Sequence, residues 1–338
     1  MFSKQCTGLA LTASIGAWSG AMAHHSPAPL YDMSQQVVLE GTITEVEWRN
    51  PHVYLTIEMS GPDGNTITQL IETAAISDLR AAGLTQTSLA LGERVSVLAM
   101  PSRRGVGNRA FGLSVTTADG TALPLQPSLD SSAPDAAADS IAGTWLADAA
   151  TFFGILENFM SEPLTELARA AFEDTDAERT VVANCDPVGL PLVITAPVVS
   201  VFEVGPDAVK ITIDIDEEHT RRVIHLDETV RPPDAPRTPE GYSRGRWEGD
   251  MLVVETDGFA PDPEGLFVAV PSGEEKRLVE RFRLSDDRRR MLYEATVEDP
   301  EFLLEPVSYS THLQHRPDLT PARAPCDPAT ARRFLVEE

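Results

Sequence analysis

The sequence predicts a mainly β protein of two domains: an OB-like small barrel, followed by an antiparallel β meander or lipocalin-like barrel with a short helix. Apolar residues alternate with a period of two over many short runs, which is typical of strands that bury one face. Gly, Pro, Asp and Ser are concentrated between those runs. Residues 127–140 are small, polar and Pro-containing, and they lack apolar periodicity. We therefore assign 24–126 to the OB-like domain, 127–140 to a linker and 141–338 to the barrel-like domain.

Five runs in the first domain alternate as strands do: residues 37–48, 53–57, 67–71, 95–99 and 111–115. The alternation changes phase at Val46 and Trp48, which predicts a β-bulge in the first strand. A helix is predicted over residues 75–82, with Gly83 as its C-terminal cap. Three strands, a helix and two strands is the element order of an OB barrel. This fold binds many kinds of ligand, so it does not by itself indicate a function.

The second domain opens with Gly143-Thr144-Trp145, and a short helix is predicted over residues 163–172 with Pro163 in its first turn. Eight strand-like runs follow: 199–203, 209–215, 222–226, 242–247, 252–256, 277–284, 292–297 and 307–312. Three connections have hairpin-turn sequences, at 205–207, 248–250 and 285–287. A G-x-W opening followed by an antiparallel meander is similar to lipocalin-like barrels. A closed barrel is favoured because closure removes exposed sheet edges.

The first 23 residues have the pattern of a cleavable signal peptide. Lys4 gives a positive start, residues 8–20 are apolar and small, and Ala21-Met22-Ala23 matches the A-x-A cleavage pattern. The apolar run is too short for a membrane-spanning helix, and no later run approaches that length. We therefore expect a periplasmic or secreted protein.

The mature chain is strongly acidic. Removal of residues 1–23 takes one Lys and no acid, so 27 − 1 = 26 basic residues face 52 acidic ones, a net charge of −26. This charge argues against nucleic acid or an anionic membrane surface as a partner. Cys185 and Cys326 remain after cleavage, and in an oxidising compartment they predict one disulfide. The alternative, metal-binding thiolates, lacks any CxxC spacing.

The mature amino terminus is a candidate metal site. Cleavage after Ala23 would make His24 the first residue, and a free amine together with the imidazole of the same residue is a bidentate nitrogen chelate. His25 or His52 would supply a third nitrogen, a set that suits Cu(II). Cleavage after Ala21 would instead place His24 third from the amine, an arrangement that also favours copper. The alternative is that His24 and His25 are only a polar amino-terminal sequence that favours cleavage of the signal peptide.

The candidate ligand-binding residues of the second domain are His225, Arg244, Arg246 and Trp247. His225 lies in a run whose neighbours Val223 and Leu226 look buried, which would point its ring into a barrel lumen. The two arginines share one strand face and would either bind an anion or pair with the abundant carboxylates. A buried structural histidine is the alternative for His225.

Both halves resemble exported bacterial families of unknown function. The first resemblance covers about residues 23–125 and lies in His24-His25-Ser26, Gly41-Thr42-Ile43, Trp48-Arg49-Asn50-Pro51-His52 and Arg109-Ala110-Phe111-Gly112. Pro27 stands where that family usually has an aromatic residue. The second covers about residues 142–315 and lies in Gly241-Tyr242-Ser243-x-Gly245-Arg246-Trp247-Glu248-Gly249-Asp250 and Val297-Glu298-Asp299-Pro300. Neither resemblance implies an established activity.

These observations favour an exported binding protein, with copper at the mature amino terminus and a small apolar molecule in the second domain. No P-loop, dinucleotide fingerprint, nucleophile elbow or HExxH motif is present in the sequence. The alternatives are a cofactor-free barrel enzyme, such as an isomerase, lyase or hydrolase that uses His225 with an acidic partner, and an envelope protein that only contacts other proteins. The oligomeric state does not follow from the sequence.

Overall fold

The computed structural model describes residues 31–332, except 33, 51, 104–107, 127–135, 149–150, 153, 156–160, 175–179, 187–188, 214–220, 228–229, 268–269 and 322–325. The predicted signal peptide, His24, His25 and most of the predicted linker therefore lie outside the described residues.

The first domain is a closed five-stranded barrel with OB topology. Its strands are β1 (Val37–Glu47), β2 (Tyr54–Ser60), β3 (Thr66–Glu72), β4 (Arg94–Pro101) and β5 (Arg109–Thr116), with α1 (Ile76–Ala81) between β3 and β4 and a short β6 (Ala122–Pro124) on β5. Antiparallel pairs join β3, β2, β1, β4 and β5 in that order, and a parallel pairing of β3 with β5 closes the ring. The register shifts between Ile43 and Glu45, which confirms the predicted bulge.

The second domain is a larger closed barrel. Its strands are β7 (Gly143–Ala147), β8 (Val199–Val204), β9 (Ala208–Ile213), β10 (Arg221–His225), β11 (Tyr242–Glu248), β12 (Met251–Asp257), β15 (Arg277–Leu284), β16 (Arg290–Glu298) and β17 (Val307–His315). The ring order is β10-β11-β12-β15-β16-β17-β7-β8-β9. The three predicted hairpin turns join β8 to β9, β11 to β12 and β15 to β16.

The sequence predicts an antiparallel barrel, and one pair of neighbouring strands departs from this prediction. Strands β10 and β11 run parallel and share only two residue pairs, Ile224 with Ser243 and His225 with Arg244. Every other neighbour in the ring is antiparallel. The parallel pairing arises because the long connection between His225 and Tyr242 returns the chain to the same end of the barrel. With two residue pairs, this seam is shorter than every other pairing in the ring.

Two further elements differ from the prediction. The helix predicted over residues 163–172 is α2 (Glu166–Glu173). It begins after Thr165, whose hydroxyl accepts a hydrogen bond from the Ala168 N–H at 3.2 Å, so Pro163 is not in its first turn. A two-stranded ribbon, β13 (Asp262–Phe267) with β14 (Val270–Ser272), was not predicted. Further short helices among the described residues are α3 (Val181–Asn184), α4 (Leu192–Thr195) and α5 (Pro328–Ala331). Among the described residues, no helix has the length and apolar character needed to cross a membrane.

The two barrels are in contact at two places. At α1, the Arg80 guanidinium donates to the Thr320 hydroxyl at 2.8 Å, and Arg316 donates to the Ala81 carbonyl at 3.3 Å. The second place is the segment 326–332, which we call the C-terminal strap. It is linked to the rest of the second domain by the Cys185–Cys326 disulfide, with a Cα–Cα distance of 5.8 Å. The predicted disulfide is thus confirmed.

Candidate functional site

His52 lies at the rim of the first barrel, just before β2. Its ring nitrogen Nδ1 is 2.8 Å from the Thr73 carbonyl oxygen. A carbonyl only accepts, so Nδ1 carries the proton, and in the neutral ring Nε2 keeps a free lone pair. The side chain is 35 % exposed. A histidine whose tautomer is fixed in this way is suited to bind a metal ion through Nε2.

A buried carboxylate, Glu72, connects His52 with the beginning of the described chain. Its Oε1 lies 3.8 Å from His52 Nδ1, and its Oε2 accepts the Tyr31 hydroxyl at 2.6 Å. Burial, with the adjacent carboxylate of Glu72, raises the pKa of Tyr31 well above its usual range, so Tyr31 stays a neutral donor. The Tyr31 ring also contacts the Phe111 ring in a tilted arrangement, with centroids 5.4 Å apart and planes 38° from parallel. Sequence reasoning missed Tyr31 and Glu72 because they are 41 residues apart and meet only when the barrel closes.

The structure does not place His225 in the lumen of the second barrel. Along β10 the interior positions are Arg222 and Ile224, which are buried, whereas Val223 is 38 % exposed. The strand phase is therefore opposite to the predicted one, and His225 lies on the outer face. There it stacks on Tyr242, with centroids 4.7 Å apart and planes 9° from parallel.

The other predicted ligand-binding residues lie on β11, the strand beside the one that carries His225. The Arg244 guanidinium contacts Asp257 at 2.6 Å, and Arg246 contacts Glu248 at 2.9 Å and Glu255 at 2.7 Å. Trp247 is 42 % exposed at the end of β11. Both arginines thus pair with carboxylates, and anion binding by them stays a prediction from the sequence.

The interior of the second barrel holds a buried ion pair that the sequence analysis did not single out. Arg222 donates from Nη1 to Glu280 at 2.9 Å and from Nη2 to the other carboxylate oxygen, and it also donates to Ser243 at 3.0 Å and to Thr256 at 3.0 Å. Tyr293 donates to Glu280 at 2.9 Å. The five residues come from β10, β11, β12, β15 and β16, which are consecutive around the ring. We call them the interior network.

Large apolar side chains occupy the same barrel interior. Trp145, Phe202, Phe282 and Tyr293 are each less than 2 % exposed, and Phe282 contacts both Phe202 and Tyr293 through its ring. The small apolar ligand expected in this domain stays a prediction from the sequence. Two clefts lie at the β13–β14 end of the ring.

Two adjoining clefts at this end have volumes of about 550 and 830 Å³. The smaller has charged walls that include Arg231 and Glu305, and an apolar lip at Leu304, which is 73 % exposed. The larger includes the carboxylates of Asp262 and Glu301. These walls suit a polar or amphipathic molecule better than a purely apolar one.

Lys276 lies at the floor of the smaller cleft and is 1 % exposed. Its ammonium donates to the carbonyls of Gly265 at 2.7 Å and Leu190 at 3.2 Å, and it lies 4.1 Å from the centre of the Phe259 ring. The lysine therefore joins three separate chain segments. Burial lowers its pKa to about 8, an effect that Asp262 and Asp299 partly oppose.

This pKa predicts an alkaline stability effect. Between pH 8 and the ordinary lysine pKa, the unfolded chain binds more protons at this position than the folded chain, so the contribution of Lys276 to stability rises with pH. Above pH 8, we expect the free energy of unfolding of wild type to rise relative to that of the variant Lys276→Met by up to about 1 kcal/mol per pH unit. Urea unfolding of both proteins at pH 7, 8 and 9 measures the gain, and the comparison cancels other titrating groups. A constant difference across this range would contradict the prediction.

The comparison with protein families supports one of the two resemblances. A family model described as a family of unknown function (DUF6152) matches residues 13–111. The match includes His52, Glu72 and β1 to β4, and it ends within β5. The first barrel is thus similar to an uncharacterised family, and the match does not extend to the second barrel. No curated protein matches the chain.

Proposed function

We propose that the protein is an exported metal-binding protein, periplasmic or secreted, whose first barrel binds Cu(II) through His52 and nitrogen ligands of the processed amino terminus. The observation that carries this proposal is the hydrogen bond from His52 Nδ1 to the Thr73 carbonyl at 2.8 Å. It leaves Nε2 as a free, partly exposed nitrogen donor. Copper(II) favours such nitrogen ligands in a tetragonal arrangement.

The position of Tyr31 supports the participation of the amino terminus. Tyr31 is held beside His52 by its hydrogen bond to Glu72, and the backbone N–H of Asp32 donates to the Pro101 carbonyl at 2.8 Å. Six residues lead from His25 to Tyr31, which span at most about 20 Å when extended. A segment of this length, held at Tyr31, is long enough for the nitrogens of the processed amino terminus to reach His52.

Within the described residues, no group of three or more His, Cys, Asp and Glu side chains is close enough to hold a metal. The proposed site accordingly needs His24 or His25, which lie outside the described residues. Glu72 would act behind His52, because a carboxylate near the protonated ring nitrogen orients the imidazole and increases its basicity.

The test compares two forms of the chain in a Cu(II) titration. One is exported with its own leader and cleaved, with its first residue verified by mass spectrometry; the other is made in the cytoplasm with one extra residue before His24. We expect the exported form to bind Cu(II) at least about tenfold more tightly, and His52→Ala to remove that advantage. His225→Ala is the matched control, since His225 lies on the outer face of the other barrel, and it should bind as wild type does. Equal affinity of the two chains, or of His52→Ala and wild type, would refute the proposal.

A further inference from the structure

The C-terminal strap lies against the first barrel close to His52. The backbone of Cys326 forms a parallel bridge with Asn50, and the Asp327 carboxylate contacts the Arg49 guanidinium at 2.7 Å. Asn50 is buried although it is polar, with 7 % exposure. The strap thus pairs with the chain two residues before His52.

The other side of the strap is held by the second domain. Cys326 forms the disulfide with Cys185, which directly follows α3, and the Arg332 guanidinium donates to the Asn184 side chain. Thr330 and Ala331 are at most 1 % exposed. One covalent bond and a few side chains therefore fix the position of the strap between the barrels.

The side-chain ion pair between the strap and the first barrel is weak on its own. The Arg49–Asp327 pair is exposed, with 50 % and 29 % of the two side chains accessible, and an exposed pair stabilises by no more than about 1 kcal/mol. Helix α5 has four residues, and so short a helix is not stable without tertiary support. The disulfide is the tie that joins the strap to residues 141 positions earlier in the chain.

Hydrogen bonds hold the chain that follows Asn50 to the segment that carries the partner of the His52 ring. The Val53 N–H donates to the Ala74 carbonyl at 3.2 Å, and the Thr73 N–H donates to the Val53 carbonyl at 3.0 Å. Thr73 in turn supplies the carbonyl that fixes the His52 tautomer. A loosening of the chain at Asn50 is thereby expected to loosen the carbonyl on which the imidazole depends.

We propose that the Cys185–Cys326 disulfide is a redox-sensitive clasp, and that its reduction releases the strap from Asn50 and weakens metal binding at His52. The metal-binding part of this inference rests on the proposed function. In the reaction, a dithiol reductant gives two electrons and two protons: the Cys185–Cys326 bond breaks, two thiols form, and the reductant becomes a cyclic disulfide. The contacts at α1 do not involve the disulfide, so the barrels stay joined there when the strap is released.

Hydrogen exchange of the metal-free full chain, before and after dithiothreitol, tests the release of the strap. We expect the protection of the Val53 amide to fall at least about tenfold on reduction. The Leu79 amide, bonded to the Ala75 carbonyl within the α1 region, is the internal control and should keep its protection. Reduction verified by mass spectrometry with unchanged protection of Val53 would overturn the proposal, as would equal loss at Val53 and Leu79, which indicates general unfolding.

Cu(II) titration of the exported variant Cys185→Ser/Cys326→Ser tests the coupling without a thiol that would itself react with copper. We expect an affinity at least about fivefold lower than that of wild type. Arg49→Gln, which removes only the exposed ion pair, should bind as wild type does. Wild-type affinity in the double variant would overturn the coupling while leaving the copper site intact. Failure of wild type itself to bind Cu(II) would overturn the proposed function and the coupling together, and hydrogen exchange would still decide whether the disulfide holds the strap.

Discussion

The substitution Glu280→Gln is expected to lower the free energy of unfolding of the second barrel by about 3–5 kcal/mol. Glu280 is 0 % exposed and accepts two of the four hydrogen bonds that the Arg222 guanidinium donates. A neutral amide leaves the guanidinium charged, buried and without a counterion, and it also gives Tyr293 a changed partner. Urea unfolding followed by circular dichroism measures the loss.

The size of this effect should come from the uncompensated charge and not from the volume of the side chain. Arg222→Met/Glu280→Leu removes both charges, and we expect it to recover most of the stability that Glu280→Gln loses. Glu255→Gln breaks an ion pair of the same type on the outer surface, where Glu255 is 50 % exposed, and should cost less than about 1 kcal/mol. If Glu280→Gln were no more costly than Glu255→Gln, the interior network would not stabilise the barrel.

The second large effect is expected from loss of the disulfide. Cys185→Ser/Cys326→Ser opens a loop with a sequence separation of 141, and the chain-entropy model gives a loss of up to about 5 kcal/mol. A loss of this size corresponds to a fall in Tm of roughly 10 °C for a chain of this length. Scanning calorimetry of the variant and of dithiothreitol-treated wild type measures the fall, and the two samples should agree. A Tm within about 2 °C of oxidised wild type would contradict this expectation.

The element pattern of both barrels was predictable because each strand buries one face. In β1 the apolar phase and its shift gave the strand and also the bulge at Ile43–Glu45. The disulfide followed from compartment and cysteine count, without any knowledge of the distance. These are local or compositional signals, and they do not depend on how strands are ordered around a ring.

The interior network carried a signal that the sequence analysis did not use. Leu278, Glu280 and Phe282 lie on the same face of β15, so an acidic residue stands between two apolar residues on the buried face of the strand. Arg222 precedes Ile224 by two residues in the same way. A charged residue at a buried position of a strand predicts that a partner of opposite charge is buried beside it. Its identity was not predictable, since β12 pairs with β15 across the inserted β13–β14 ribbon.

The wrong prediction for His225 shows that a shift of one residue in a strand exchanges its interior and exterior faces. The sequence predicts a buried Val223, whereas Val223 is 38 % exposed in the structure. The site around His52 was only partly predictable for a different reason. His52 is a candidate nitrogen donor in the sequence, whereas the Thr73 carbonyl and the Glu72 carboxylate come close to it only when β2 and β3 pair, which no local pattern encodes.

The parallel seam between β10 and β11 has a further consequence for association between copies of the chain. Only two residue pairs close the ring there, and Arg222 spans the gap through its bond to Ser243. Opening of the sheet at this seam would leave the edges of β10 and β11 unpaired. Unpaired edges recruit strands from other molecules, so the pairing that closes the barrel here also protects the protein from edge-to-edge aggregation.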